Sequence, residues 1–260
     1  MSGLFLRIRQ AARLAAATVA ALGLGLAGTG PVHADTPEGN GITIENVTEV
    51  DPDTLEFTGT YSCSGSTTVQ VAVEAKDTAL GVGAFLEGFP CPAAGEPFSG
   101  QLVNQTPGQT WDSSVAAVGV LAELRNPTGG ALLSTHNGFL IDDIFEVIMV
   151  DSAELTSTGA VTVSGRIRCS TSGDNRTLTV NVTQTDANGG TTTGEVIKTA
   201  QCPATPGTLG TWTDDVAPLA FEYQPGTASV LTTMEADAIL VPDFPADKET
   251  KLNVMLNDFA

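Results

Sequence analysis

Apolar and polar residues alternate along most of the chain after residue 34. Runs of 5 to 8 positions, such as 55–60 and 178–184, alternate apolar residues with polar ones, which is typical of strands with one buried face. Turn-forming pairs such as Pro52-Asp53, Asn137-Gly138 and Pro225-Gly226 separate the runs. No helical stripe follows residue 34, so the pattern predicts an all-β protein.

A cysteine-containing pattern occurs twice. The run Gly59–Ser64 (GTYSCS) matches Gly165–Ser170 (GRIRCS), 106 residues later, and an alternating run flanks each copy on both sides. Cys-Pro-Ala then follows at Cys91 and at Cys202. Because these elements keep the same order, the sequence predicts a tandem duplication. A Trp also follows in each copy, but 20 residues past the cysteine in one and 10 in the other, which makes that match weaker.

The predicted domains are residues 35–142 and 143–260, joined at Asp142-Asp143. Each unit of roughly 110 residues is large enough to bury a core of its own. About seven short antiparallel strands in that length indicate an immunoglobulin-like β-sandwich, with a small barrel as the alternative. The predicted fold class is therefore all-β, with two tandem immunoglobulin-like β-sandwich domains after an N-terminal signal peptide.

The same motifs carry a family resemblance. A strand that ends in Gly-x-x-x-Cys-Ser, a later Cys-Pro, and the run Phe221–Val230 (FEYQPGTASV) resemble the repeats of secreted actinobacterial proteins of unknown function. The first repeat lacks the Pro-Gly of that last run, so its match is weaker. The resemblance implies a disulfide-bearing immunoglobulin-like sandwich, and it brings no catalytic residues.

Residues 1–34 have the features of a secretory signal peptide. Arg7, Arg9 and Arg13 form a basic start, Leu14–Ala27 is a largely apolar run of 14 residues, and cleavage is expected between Ala34 and Asp35. The alternative is a membrane anchor, but the run is shorter than the roughly 20 residues that span a bilayer. We expect a secreted protein, free or associated with the cell wall, that does not insert into the membrane after cleavage.

Four cysteines fit an exported chain, because that route is oxidising and an even number allows pairing. The repeat selects the disulfides Cys63–Cys91 and Cys169–Cys202 among the three possible connectivities. A zinc site would need closely spaced pairs such as Cys-x-x-Cys, and the sequence contains none. The cysteines are therefore expected to be structural.

The chain is strongly acidic, with 11 Lys and Arg against 30 Asp and Glu. The first 34 residues contain three Arg and no acid, so residues 35–260 hold 8 bases and a net charge of −22. Binding to nucleic acid or to an anionic membrane surface requires basic patches, and this balance excludes both classes. An acidic surface favours a basic partner, here an unknown protein or a cell-wall component.

Catalytic candidates are few. His136 is the only histidine after residue 34, and it lies in Ser134–Gly138, which is predicted to be a hairpin tip. A nucleophilic serine needs a base within hydrogen-bond reach, and no Gly-x-Ser-x-Gly motif is present. No catalytic residue is expected. The alternative is a secreted hydrolase with a carboxylate pair, in which Trp111 or Trp212 would stack on a sugar rather than lie in the core.

Calcium is the other ligand to consider, because acidic loops rich in oxygen atoms bind it. The alternative is a solvated acidic surface that keeps an exported protein soluble. We expect no cofactor, and a calcium-dependent adhesion module is the competing hypothesis. Its weak candidate ligands are Asp51, Asp53, Asp142, Asp143, Asp214 and Asp215.

These features predict an exported, non-enzymatic binding or structural protein of the cell envelope or extracellular space. The sandwich would offer its strands and loops as contact surface. Neither the partner nor the oligomeric state follows from the sequence.

Overall fold

The computed structural model describes residues 39–256, except 65–66, 79–80, 92–94, 115, 129 and 236–247. The described residues contain fourteen β-strands and the turns and loops that connect them. The strands are β1 Gly39–Asp51, β2 Thr54–Ser62, β3 Thr68–Asp77, β4 Val82–Pro90, β5 Glu96–Val103, β6 Val118–Arg125, β7 Leu132–Ile141, β8 Ile144–Leu155, β9 Val161–Arg168, β10 Asn175–Thr185, β11 Thr191–Gln201, β12 Leu209–Val216, β13 Gly226–Met234 and β14 Lys248–Leu256.

Both halves of the chain use one strand order. In the first half, β5-β2-β1 faces β4-β3-β6-β7, and in the second half, β12-β9-β8 faces β11-β10-β13-β14. Two hydrophobic clusters fill the spaces between these layers, one drawn from residues 42–149 and the other from 148–256. The predicted all-β sandwich fold is confirmed. The barrel alternative is wrong, because β4, β5, β11 and β12 each pair with one strand only within the described residues.

A disulfide connects the two layers of each sandwich. Cys63 follows β2 and bonds to Cys91 after β4, with their Cα atoms 5.5 Å apart. Cys169 follows β9 and bonds to Cys202 after β11, with their Cα atoms 5.8 Å apart. These are the pairs that the repeat selects. Two disulfides indicate an oxidising, extracellular environment.

The glycine of each Gly-x-x-x-Cys motif lies under an aromatic ring. Gly59 is opposite Phe98 of β5, and Gly165 is opposite Trp212 of β12. A Cβ at either glycine would lie 2.7 Å from that ring and would also collide with a carbonyl oxygen, that of Thr43 in the first half. The motif therefore holds a glycine because backbone and ring approach closely there.

A second pair of glycines shows the same packing. A Cβ at Gly83 of β4 would lie 3.1 Å from the Trp111 ring, and one at Gly194 of β11 would lie 2.6 Å from the Tyr223 hydroxyl. Trp111 is thus the counterpart of Tyr223, whereas Trp212 is the counterpart of Phe98. The predicted correspondence between the two tryptophans is wrong, because the two halves exchange aromatic residue types at equivalent positions.

A tight turn and a strand pairing join the two halves. Asp142 and Asp143 have φ angles of 47° and 61° and connect β7 to β8. The two strands pair antiparallel, and Ile141 is opposite Ile144 next to the turn. Positive φ at both central residues matches the hairpin turn whose twist suits antiparallel strands. The last strand, β14, also pairs with β7 and with the start of β1. Residues 34–260 accordingly form one compact unit.

The expectation that His136 lies at a hairpin tip is wrong. It lies within β7 and is wholly buried. Its Nδ1 accepts a hydrogen bond from the Ile44 N–H at 3.0 Å, and its Nε2 lies 2.8 Å from the Ile148 carbonyl oxygen. Because Nδ1 accepts, the ring proton is on Nε2. The neighbouring Asn137 is also buried, and its Oδ1 accepts from the Glu249 N–H at 2.5 Å.

Ser134 completes this polar seam, which we define as Ser134, His136, Asn137 and Thr250. The Ser134 hydroxyl accepts from the Ile42 N–H at 3.0 Å and donates to the Lys251 carbonyl at 2.6 Å. Thr250 donates to the Ile148 carbonyl at 2.5 Å. Where strands of the two sandwiches meet, these side chains take the place of backbone–backbone hydrogen bonds between strands. The buried backbone N–H and C=O groups there are therefore still hydrogen-bonded.

Several predictions lie outside the described residues. The signal peptide, including cleavage between Ala34 and Asp35, falls in residues 1–38, and so do the arginines of its basic start. The boundary between 35–142 and 143–260, and its origin by duplication, stay predictions. Among the described residues, no helix has the length and apolar character needed to cross a membrane.

Candidate functional site

The predicted calcium ligands are spread over separate turns and strands. Asp51 and Asp53 occupy the turn between β1 and β2, where the Asp53 N–H donates to the Asp51 carboxylate at 2.9 Å. At the β7–β8 turn, the Ser113 hydroxyl accepts from the Asp143 N–H at 3.1 Å and donates to its carboxylate at 3.2 Å. The Asp142 N–H donates to the Ser113 carbonyl at 3.0 Å.

The third predicted pair lies on β12 and has protein partners on β11 and β9. Asp214 forms an ion pair with Lys198 at 2.6 Å, and Asp215 accepts from the Thr162 hydroxyl at 2.6 Å. Within the part of the chain that the structure describes, no three His, Cys, Asp or Glu side chains are grouped to hold a metal ion. The calcium hypothesis gains no support from these residues.

Both tryptophans belong to the hydrophobic cores. Trp111 is 1% exposed and Trp212 is 5% exposed, and each shares a cluster with a disulfide cysteine, Cys63 in the first half and Cys169 in the second. Neither ring presents a face to solvent on which a sugar could stack. The core interpretation is confirmed, and the sugar-platform alternative is wrong for these two residues.

A groove of about 610 Å³ opens at one end of the second sandwich. One wall is the turn between β10 and β11, residues 186–190. The Asp186 carboxylate shapes this turn by accepting from the N–H groups of Asn188 and Gly190 at 2.8 and 2.7 Å. Such a bond from an Asp side chain to the backbone two residues on is a common way to fix a turn.

The other wall is the loop 217–225 between β12 and β13, which several hydrogen bonds fix. The Leu219 N–H donates to the Thr193 carbonyl at 2.8 Å, and the Tyr223 N–H donates to the Gly159 carbonyl at 3.1 Å. The Tyr223 hydroxyl donates to the Val182 carbonyl at 3.0 Å. Burial raises the pKa of Tyr223 to about 12, so this donor keeps its proton at neutral pH.

A side-chain amide closes the base of the groove. Gln184 donates through Nε2 to the Gln224 carbonyl at 2.6 Å and accepts through Oε1 from the Gln224 N–H at 2.9 Å. Both polar atoms of the Gln184 amide are thus used in holding loop 217–225 against β10. The loop is connected at both ends and at its base to neighbouring strands.

Large apolar side chains protrude from this fixed loop. Leu219 is 77% exposed and Phe221 is 74% exposed, and Phe221, Asp186 and Glu222 are among the residues that line the groove. Both acids are exposed. Within the described residues, neither forms an ion pair. The groove therefore combines an exposed aromatic ring with two acidic residues that, in the described part of the chain, have no cation paired with them.

A smaller groove of about 220 Å³ lies on the outer face of β4, β3 and β6. Its exposed Leu86 lies near two acids, Glu74 and Glu123. Each of these acids already has a cation, since Glu74 pairs with Lys76 at 3.2 Å and Glu123 pairs with Arg125 at 2.7 Å. The acids of this second groove are therefore neutralised by cations of the same chain.

Most cations of the protein are engaged internally. Within the part of the chain that the structure describes, ion pairs are formed by Lys76, Arg125, Arg166 and Lys198, which are four of the 8 bases in residues 35–260. Arg168 donates to the Glu45 carbonyl at 3.0 Å, and burial lowers its pKa. Arg176 is buried and donates to Thr171 at 2.9 Å. The four paired acids are a small part of the 30 in the chain, so the surface stays strongly negative.

Sequence reasoning did not identify the groove at Phe221 on the second sandwich. Phe221 is the first residue of the run Phe221–Val230, one of the motifs that carry the family resemblance. The signal that points to it is the short run Leu219–Phe221 between a proline and an acid, because exposed turns rarely need two large apolar residues. Whether such residues turn inward depends on the hydrogen bonds that hold the loop, and their partners Gln184, Val182 and Gly159 come from another part of the sequence.

Comparisons with known proteins do not assign a family. The chain matches no protein-family model, and no curated protein matches its sequence. The resemblance to secreted actinobacterial repeats stays a prediction.

Several solved structures are distantly similar to this chain. Red sea bream transglutaminase is 10% identical over 85% of this chain and 31% of that one, with a TM-score of 0.27. The calcium-binding domain CBD12 of CALX1.1 is 16% identical over 70% of this chain and 74% of that one, with a TM-score of 0.23. A glycosyl hydrolase family 2 member from Bacteroides cellulosilyticus is 10% identical over 78% of this chain and 27% of that one, with a TM-score of 0.27. The chain spans less than a third of the transglutaminase and of the hydrolase, and likeness at this level carries no assignment of function.

Proposed function

We propose that this protein is an exported, non-enzymatic binding protein that recruits a basic partner at the cell envelope or in the extracellular space. The observation that carries the proposal is the internal use of its cations. Because ion pairs and buried hydrogen bonds engage six of the 8 bases in residues 35–260, the many remaining acids dominate the surface. Such a field attracts and orients cationic partners.

The scaffold supports the same proposal. Residues 34–260 form one compact unit, and a disulfide holds the two layers of each sandwich. A binding surface that is ordered before contact loses less conformational entropy on association. The predicted signal peptide at 1–34 and the predicted resemblance to secreted actinobacterial repeats support export. Association with the cell wall is part of this proposal.

Surface plasmon resonance tests the function directly. The protein is immobilised, and polylysine, polyarginine and an uncharged polypeptide of equal length are passed over it at low and high NaCl. We expect the cationic polymers alone to bind, with an affinity that falls as salt screens exposed charges over roughly 10 Å at 0.1 M and 3 Å at 1 M. Equal binding of the uncharged polymer, or binding that salt does not weaken, would contradict the proposal.

A further inference from the structure

We propose that the groove on the second sandwich binds an arginine side chain of the basic partner, stacked on Phe221 between Asp186 and Glu222. This inference rests on the proposed function and locates the contact. The groove, of about 610 Å³, is larger than one side chain needs, so it also accommodates the neighbouring residues of an extended segment.

The aromatic ring is the first argument. Phe221 is 74% exposed, although Leu219 and Tyr223 on either side of it have backbone hydrogen bonds to Thr193 and Gly159. These bonds hold the loop backbone on both sides of the ring. A large apolar side chain that is kept in solvent by an ordered loop indicates a contact surface.

The charges are the second argument. Asp186 and Glu222 line the groove from opposite walls, and within the described residues no cation is paired with either. The groove at Leu86 provides the comparison inside the same molecule, because there Lys76 and Arg125 already neutralise the adjacent acids. Among the described residues, the two acids of the groove on the second sandwich thus have no paired cation, whereas each acid beside Leu86 has one.

The combination of ring and carboxylates selects the ligand. A guanidinium group is planar, stacks on aromatic faces and donates several hydrogen bonds in a fixed plane toward carboxylates. An ammonium group gains from the same charges but does not stack. A neutral sugar would stack on the ring and donate hydroxyl hydrogen bonds to the carboxylates, but it carries no charge to offset theirs. The groove is accordingly matched best to arginine.

The test uses two probes, an octa-arginine peptide and an octa-lysine peptide, with affinities measured by isothermal titration calorimetry at low salt. We expect octa-arginine to bind more tightly. Phe221→Ala should weaken octa-arginine binding about 2- to 5-fold, the range that follows from one exposed cation–π contact of about 0.5–1 kcal/mol. Glu222→Gln should weaken it by up to about 5-fold, because an exposed ion pair contributes at most about 1 kcal/mol. Glu222→Gln keeps the side-chain volume that packs on Gly159.

The matched control is Leu86→Ala, which removes an exposed apolar residue, 65% exposed, beside two paired acids. It should leave octa-arginine binding unchanged. If the protein binds octa-arginine in a salt-dependent way but Phe221→Ala and Glu222→Gln match the wild type, the groove is not the site, and the proposed function stands. If neither peptide binds at low salt, the proposed function fails. Phe221-dependent binding of a neutral chito-oligosaccharide without affinity for octa-arginine would overturn the inference in favour of a glycan.

Discussion

His136 makes the stability of this protein sensitive to mild acid. Its ring is wholly buried between the two sandwiches and accepts the Ile44 N–H at Nδ1. Protonation would place a second N–H on Nδ1, facing the Ile44 donor, and would bury a charge. Burial lowers the pKa of His136 to about 4, although the hydrogen bond to the Ile148 carbonyl favours the charged form.

The sign and the size follow from linkage. The unfolded chain takes up the proton near pH 6.5, whereas the folded protein takes it up near pH 4. The contribution of the neutral ring to stability is therefore complete above pH 6.5 and is lost as the pH falls toward 4. The loss amounts to about 2 kcal/mol at pH 5 and about 3 kcal/mol at pH 4, a large share of the ~5–15 kcal/mol usual for a domain.

Urea unfolding at a series of pH values from 7.5 to 5 tests this reasoning. Most carboxylates titrate below this interval, and the chain has no other histidine beyond residue 34. His136→Gln is the control, and the quantity compared is the change of unfolding free energy with pH, so a lower absolute stability of the variant does not matter. A wild-type stability that stays level from pH 7.5 to 5, or equal slopes for both proteins, would refute the assignment.

Three other changes test the packing and the covalent structure. Ser134→Ala should lower the unfolding free energy by about 1–3 kcal/mol in urea titrations, because the buried Ile42 N–H loses its acceptor; a cost near zero would show that water replaces the hydroxyl. Gly165→Ala should destabilise far more than Gly88→Ala, since a Cβ at Gly165 would meet the Trp212 ring at 2.7 Å whereas the nearest atom at Gly88 is 3.9 Å away; equal melting temperatures would contradict the close approach. Alkylation before reduction should label none of the four cysteines in mass spectrometry, and reduction should cost roughly 3–4 kcal/mol per disulfide by loop entropy; a labelled thiol would contradict the pairing.

The sequence predicts this fold well wherever one face of a strand is buried. In β9 and β10 the residues alternate between buried and more exposed positions along their whole length, and period-two alternation identified both. The disulfides also follow from the sequence, because the Gly-x-x-x-Cys motif places Cys63 and Cys169 at the same end of equivalent strands. These features are local, so a single sequence contains them.

Prediction failed at β7, where both faces are buried from Ser134 to Leu140 apart from Thr135. Period-two alternation disappears there, and the pair Asn137-Gly138 then indicated a turn. In the structure the Asn137 amide accepts the Glu249 N–H, and a Cβ at Gly138 would lie 2.6 Å from the Phe145 ring. Residues that usually permit turns are used here for a close approach of strands, and the partners that decide this lie far away in the sequence.

The groove illustrates how one loop takes different roles in the two halves. The loop between β5 and β6 contains Ser113, which bonds to Asp142 and Asp143 and holds the β7–β8 turn. The corresponding loop 217–225 supports no such turn within the described residues, and its tip carries Leu219 and Phe221 into solvent. Both loops keep the aromatic residue that covers a glycine of the neighbouring strand, so the core constrains only that position. The remainder of the loop was free to serve the junction in the first half and, by our proposal, to bind a partner in the second.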